Sequence, residues 1–185
     1  MSKKIIVVFH SGYGHTKRMA EAVANGAGAS LLPIDAEGNL PEGGWEQLAA
    51  ADAIIMGSPT YMGSVSWQFK KFADASSKPW YQEAWKDKIA AGFTNSASMN
   101  GDKHSTLHYL FTLAMQHSMI WVGTGMLPSN KKSATRNDIN YVASSSGAMA
   151  STPSDASVDE MLPGDLETAR LFGQRVAEVT AKVRG

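Results

Sequence analysis

No cysteine occurs among the 185 residues. That absence excludes disulfides, thiolate catalysis and cysteine-ligated zinc or iron–sulfur clusters. Neither sign of charge is in excess: 17 Lys and Arg stand against 17 Asp and Glu. A neutral balance gives no electrostatic case for nucleic acid or an anionic membrane, and it argues against a strongly acidic electron shuttle that steers onto basic partners. No apolar run reaches the length of a membrane span. Met1-Ser2-Lys3-Lys4 passes directly into the first apolar segment without a leader-type region, so a cytoplasmic protein is expected. There is also no internal repeat and no low-complexity tract. What is present is an ordinary globular composition, 43% hydrophobic and 18% charged, at a length that fills one domain spanning 1–185.

The chain is organised around Lys4 to Thr16. Ile5 to Phe9 are apolar without alternation, the pattern of a strand buried on both faces under crossover helices. From Thr16 onward Met19, Ala20, Val23, Ala24 and Ala27 recur at helical spacing, which makes Ser11 to His15 the turn from strand to helix. The free N–H groups and the dipole of a helix start favour an anion. Ser11 and Thr16 add hydroxyls there, while Gly12 and Gly14 let the backbone come close. A phosphate fits this turn without Lys or Arg. Ser11-Gly-Tyr-Gly-His15 also reads as an ordinary tight turn, since it matches neither a P-loop nor G-x-G-x-x-G.

The same unit repeats along the chain. Ser30 to Asp35 reads as a strand near an edge, because Pro33 cannot donate to a ladder. Trp45 to Ala51 is a brief helix and Ala53 to Gly57 a buried strand, which ends in the polar turn Ser58 to Gly63. Val65, Phe69 and Phe72 then set a helix with Ser64 as its N-cap. Lys88 to Thr94 is a fourth strand, followed by the small-residue loop Asn95 to Asp102, a helix over 105–118 and a fifth strand at Met119 to Val122. Residues 123–163 show no periodicity, as expected of a functional lid or binding loop. Leu166, Ala169, Val176, Val179 and Val183 close the chain as an amphipathic helix. Five buried strands alternating with helices give a parallel sheet covered on both faces, and its ligand belongs beyond the carboxyl ends of the strands. The loops at 11–16, 58–63 and 95–102 each follow a strand, so all three open on that edge.

With Ser11-Gly-Tyr-Gly-His-Thr16, Gly57-Ser-Pro-Thr-Tyr-Met-Gly63, the spacing from Phe72 through Trp80 to Phe93, and Leu162 to Val179, the chain resembles the flavodoxin-like superfamily. Within it, the match is to the WrbA-type NAD(P)H:quinone oxidoreductases. The resemblance implies a flavodoxin-like three-layer α/β sandwich with a five-stranded parallel sheet in the order 2-1-3-4-5. It implies FMN, with the phosphate held by Ser11, Gly12, Tyr13, Gly14, His15 and Thr16. The ring would be gripped by Pro59, Thr60, Tyr61, Met62 and Gly63 and by Asn95, Ser96, Ala97, Ser98, Met99 and Asn100. Tyr13 would also help hold NAD(P)H as co-substrate, and Trp80 would wall the pocket where nicotinamide and quinone bind in turn. Assembly as a homodimer or homotetramer, with neighbouring chains completing each pocket, is implied as well. The sequence departs from the family pattern at Ala97-Ser98-Met99-Asn100 in the third loop, at Gln116-His117-Ser118, and at Tyr61 or Met62 where a basic residue is common. The flavin-proximal position near the fifth strand accordingly falls on Gln116 or on His117.

Single side chains carry sharp and bland readings together. His117 is placed either to give a proton to a reduced quinone oxygen or to neutralise the end of a helix. His104 and His108 stand four apart as a zinc pair would, yet without a third ligand they read as a solvated face. Trp67 and Trp85 fit core packing, and Ser11 lacks the partners of a nucleophilic serine. The expected function is hydride transfer from NAD(P)H to FMN, then two electrons to a quinone. The alternatives are an electron-transfer flavodoxin and a flavin-binding module that does not turn over.

Overall fold

The computed structural model describes residues 3–185; Met1-Ser2, part of the segment read above as lacking a leader, lies outside them. Strand β1 (Ile5–Phe9) is buried at every residue, as its unbroken apolar run requires. Helix α1 (His15–Ala27) follows it, then β2 (Ser30–Pro33), α2 (Gly44–Ala49) and β3 (Ala53–Tyr61). A two-residue strand β4 (Ser64–Val65) leads to α3 (Trp67–Ala75) and a short α4 (Ser77–Tyr81). Next come β5 (Ile89–Ser96), α5 (Lys103–Gln116), β6 (Ile120–Trp121), β7 (Ala148–Ser151), a 3-10 turn at Val158–Glu160 and α6 (Pro163–Arg184).

The five expected strands lie parallel in the order β2-β1-β3-β5-β6, with β2 at one edge, where Pro33 pairs with Phe9. The sheet has seven strands, which corrects the five-stranded expectation. One addition is β4, antiparallel to the end of β3. The other is β7, which pairs with the carboxyl half of β5 (Phe93↔Ala148 to Ser96↔Ser151), while β6 pairs with its amino end (Ile89↔Ile120). The fifth row of the sheet is thus two short strands separated by residues 122–147. Ala148-Met-Ala-Ser has no apolar run to announce it, which is why 123–163 reads as continuous loop in the sequence. The expected N-cap also moves. Ser64 belongs to β4, and Ser66 caps α3 by accepting a hydrogen bond from the Phe69 amide at 3.3 Å.

Alternate residues of each central strand face opposite layers. Val7, Phe9, Ile55 and Phe93 pack with Met19 and Val23 of α1 and Phe172 and Val176 of α6. Ile6, Val8, Ile54 and Met56 pack with Leu48, Phe69, Phe72, Leu107 and Leu110 of the other helical layer. Burying one such side chain contributes about 1.5–3 kcal/mol, so these two layers dominate stability. Helices α1 and α6 meet backbone to backbone. A Cβ on Gly173 would lie 2.0 Å from the Val23 carbonyl oxygen, and one on Gly26 would lie 1.8 Å from that of Arg170. Among the described residues no helix is long and apolar enough to cross a membrane.

Candidate functional site

Because β1, β3 and β5 are parallel neighbours, their carboxyl ends deliver three loops to one edge, at the point where strand order reverses between β1 and β3. In the first loop the Ser11 hydroxyl oxygen accepts hydrogen bonds from the amides of Gly14 (3.2 Å) and Lys17 (3.1 Å), folding the turn over the start of α1. Gly14 has φ 92°, a conformation costly for any residue with a Cβ, and a Cβ there would also lie 2.7 Å from Val158 Cγ1. The amides of Gly12, Tyr13, His15 and Thr16 donate to no group among the described residues. Together they make an uncharged anion cradle at a helix N-terminus. His15 is buried and its Nε2 donates to the Ala156 carbonyl at 2.8 Å, tying the cradle to the chain beyond β7.

The second loop is a tight hairpin closed by Thr60↔Val65 and Tyr61↔Ser64. Met62 (φ 48°) and Gly63 (φ 77°) are both left-handed, as a two-residue type I′ turn requires. Met62 stands fully exposed at its tip. The Tyr61 ring meets Tyr13 edge-on at 6.3 Å between centroids, and burial, with Tyr13 beside it, holds its phenol above the ordinary range. Beneath, Thr60 Oγ1 lies 2.8 Å from the hydroxyls of both Thr94 and Thr106, joining β3, β5 and α5 under the site.

The third loop is shorter than the sequence implies, since Asn95 and Ser96 are still in β5. Its inner side wraps the ammonium of Lys103, a buried residue whose Nζ donates to Ser96 Oγ (2.9 Å) and to the carbonyls of Ser98 and Met99 (2.8 Å each). Arg136, from the segment between β6 and β7, braces the same loop. Its Nη1 lies 2.7 Å from Met99 Sδ, and its Nη2 pairs at 2.7 Å with Asp165 Oδ2, which also accepts from the Ser151 amide. Burial raises the Asp165 carboxyl, against the pull of these donors and of Lys103.

A cavity of about 180 Å³ opens between the loops, lined by Tyr13, His15, Thr16, Pro59, Thr60, Tyr61, Asn95, Ser96 and Ala97. Ser11, Gly12 and Gly14 complete the turn behind it, and Met62 and Gly63 form the hairpin tip. Met99 and Asn100 face instead a neighbouring groove, with His104 and residues 141–146, and Ser98 turns its carbonyl toward Lys103. Thr152 and Ser154, which sequence reasoning missed, close the cavity from the far side. Thr152 is fixed by its hydroxyl, which donates to Asn95 Oδ1 at 3.0 Å. Only the length of the 123–163 segment hinted at them.

Three predicted residues are not brought to this edge. Helix α5 carries the chain from Lys103 back to the opposite edge, about 21 Å at 1.5 Å per residue. Gln116 is exposed there, and His117 is buried against Trp85, with ring centroids 4.1 Å apart. The Ser76 hydroxyl donates to the Ala73 carbonyl and so accepts from His117 Nε2–H at 2.8 Å, leaving Nδ1 without a proton or a partner among the described residues. Burial lowers the imidazole to about 4. It is a neutral core histidine, and the expectation of a proton donor near the cofactor is corrected. Trp80 is half-exposed on α4, four residues beyond the Ser76 that bonds His117, and does not line the cavity between the three loops.

The turn suits a phosphate: four amides without a partner among the described residues stand at the start of a 13-residue helix. Pro59, Tyr61 and Ala97 line the mostly apolar cavity beside it. Fold and site together define a flavodoxin-like α/β protein. A family model described as NADPH-dependent FMN reductase matches residues 44–134. The chain is 54% identical over 176 residues to flavodoxin FldP of Pseudomonas aeruginosa, covering 95% of this chain and 96% of that one. It is 33% identical over 207 residues to the NAD(P)H dehydrogenase (quinone) of Geobacter sulfurreducens, covering 98% and 99%. The crystal structure of a flavodoxin, WrbA-like protein from Agrobacterium tumefaciens superposes with a TM-score of 0.82 at 56% identity, covering 98% and 99%. The chain belongs to the WrbA-type group of flavodoxin-like proteins.

Proposed function

We propose that the chain is an FMN-dependent oxidoreductase that takes hydride from NAD(P)H and delivers two electrons to a quinone or a similar flat acceptor. The observation that carries this reading is the uncharged main-chain cradle at Ser11 to Thr16, opening directly into the slot between Pro59, Tyr61 and Ala97. Bound FMN supplies the hydride acceptor and the two-electron donor; the protein supplies binding, orientation and electrostatics. The free amides and the Thr16 hydroxyl would hold the phosphate. Pro59 and Tyr61 would line the ring's side of the cavity, with Ser96 and Ala97 opposite. Tyr13, 76% exposed at the mouth, is free to pack on a nicotinamide nucleotide. Trp80 serves the substrate pocket only when a second copy brings it there, in a homodimer or homotetramer. The names of the Geobacter relative and of the matched family support NAD(P)H as co-substrate and a quinone as acceptor.

One experiment decides the reading. Purified protein loaded with FMN is mixed anaerobically with NADPH or NADH, and its absorbance is followed. Bleaching of the flavin band, reversed by benzoquinone, is the expected result. The 54% identical relative named a flavodoxin favours a second reading, electron transfer without dehydrogenase activity. In that case neither nucleotide bleaches the band, while dithionite reduces it in two separate one-electron stages.

A further inference from the structure

Lys103 has no part in the cradle or the cavity lining, yet it is 1% exposed and makes three directed hydrogen bonds to one loop. A buried ammonium needs its three protons paired, and here the count closes: Ser96 Oγ, Ser98 carbonyl, Met99 carbonyl. The consequence for the loop follows from peptide geometry. In a trans peptide the C=O and N–H point in opposite directions, so drawing in the Ser98 and Met99 carbonyls turns the Met99 and Asn100 amides to the outer side. Those two amides donate to no group among the described residues. Gly101 and Asp102, both left-handed, return the chain to α5 tightly enough that a Cβ on Gly101 would meet Ser96 Oγ at 2.4 Å.

We propose that Lys103 is the positioning residue of the third loop, gathering Ser96 Oγ and the Ser98 and Met99 carbonyls so that Ser96 and Ala97 keep their place in the wall of the cavity read above as the FMN site. This rests on the FMN reading above. The position of that wall is then set by a charge, and the affinity for FMN depends on that charge. Burial lowers the Lys103 ammonium from its usual range to about 8. Facing it are the Asp165 carboxylate of α6, which favours the ammonium, and Arg136 of the 122–147 segment, which opposes it. Arg136 and Asp165 form an ion pair, while β5 and β7 present only serines. A neutral amine has one proton fewer and no charge to strengthen the remaining bonds, so its grip on the loop weakens as pH rises.

The full-length protein is titrated with FMN from about pH 7 to about pH 9.5, with dissociation constants read from quenching of flavin fluorescence. The wild-type constant stays level at the acid end and rises roughly tenfold once pH passes about 8, the worth of one charge-assisted hydrogen bond. In Lys103→Met it is already raised at about pH 7 and does not change with pH. A wild-type constant that is flat across the range, or a folded Lys103→Met protein that retains the wild-type profile, overturns this inference and leaves the FMN reading standing. The wild-type profile decides alone should Lys103→Met fail to fold. Protein that takes up no FMN at any pH overturns the FMN reading itself, and this inference with it.

Discussion

At the scale of single residues, backbone conformation and burial decide what each side chain does. Gly14 is the clearest case. Gly14→Ala puts a Cβ at φ 92° and against Val158, so we expect a stability loss of about 1–2 kcal/mol and weaker FMN binding, measured by thermal unfolding and flavin fluorescence. Ser11→Ala strips the acceptor from two amides and should cost about 1 kcal/mol, as loss of an N-cap does. His117 gives a pH prediction with a definite sign. Its folded-state value is depressed to about 4 from an ordinary 6.5, so between those limits the unfolded chain binds the extra proton. Stability from this residue is present above about pH 6.5 and is lost as pH falls toward about 4, by up to about 3 kcal/mol. Urea unfolding of His117→Asn against wild type at both ends of that window checks this. The variant should be less acid-sensitive, and equal sensitivity would show that the imidazole is not held neutral.

At the scale of elements, what the sequence reveals depends on how an element is buried. Strands β1, β3 and β5 are legible because burial on both faces demands an unbroken apolar run, as in Ile5 to Phe9. Strand β7 is not, because Ala148-Met-Ala-Ser owes its place to a ladder with Phe93 to Ser96 more than fifty residues away. The two-residue β4 leaves no periodic trace, so Ser64 reads as a cap when Ser66 is the cap. The site follows the same rule. The three loops are legible since each must follow a strand end, but Thr152 and Ser154 depend on contacts that close across the sheet, and Lys103 on the way the loop before it coils around its ammonium. Likeness in sequence places Trp80 and His117 along the chain without saying which edge they reach, and one helix of 14 residues carries His117 away from the cofactor. The α1–α6 crossing supplies the test at this scale. Gly173→Val drives a side chain into the Val23 carbonyl, and by the usual cost of overpacking should destabilise by about 3 kcal/mol or more. Gly28, where a Cβ would meet nothing within 4 Å, is the control: Gly28→Asn, suited to its φ of 60°, should cost little in the same melt.

For the whole molecule, the balanced charge gives little long-range field to steer it onto a charged partner. Assembly decides what Trp80 contributes. Trp80→Ala should fold and retain FMN, and in an oligomer that brings α4 to a neighbour's cavity it should slow quinone reduction; FMN loss would instead place Trp80 in the cofactor shell. Beneath all of this lies the claim that the bend after β1 captures a phosphate through main-chain amides. The most direct measurement compares binding of FMN and of riboflavin, which lacks the phosphate, to the same protein by fluorescence quenching. The account predicts FMN tighter by roughly 100-fold, the worth of two charge-assisted hydrogen bonds. Equal affinities would contradict it.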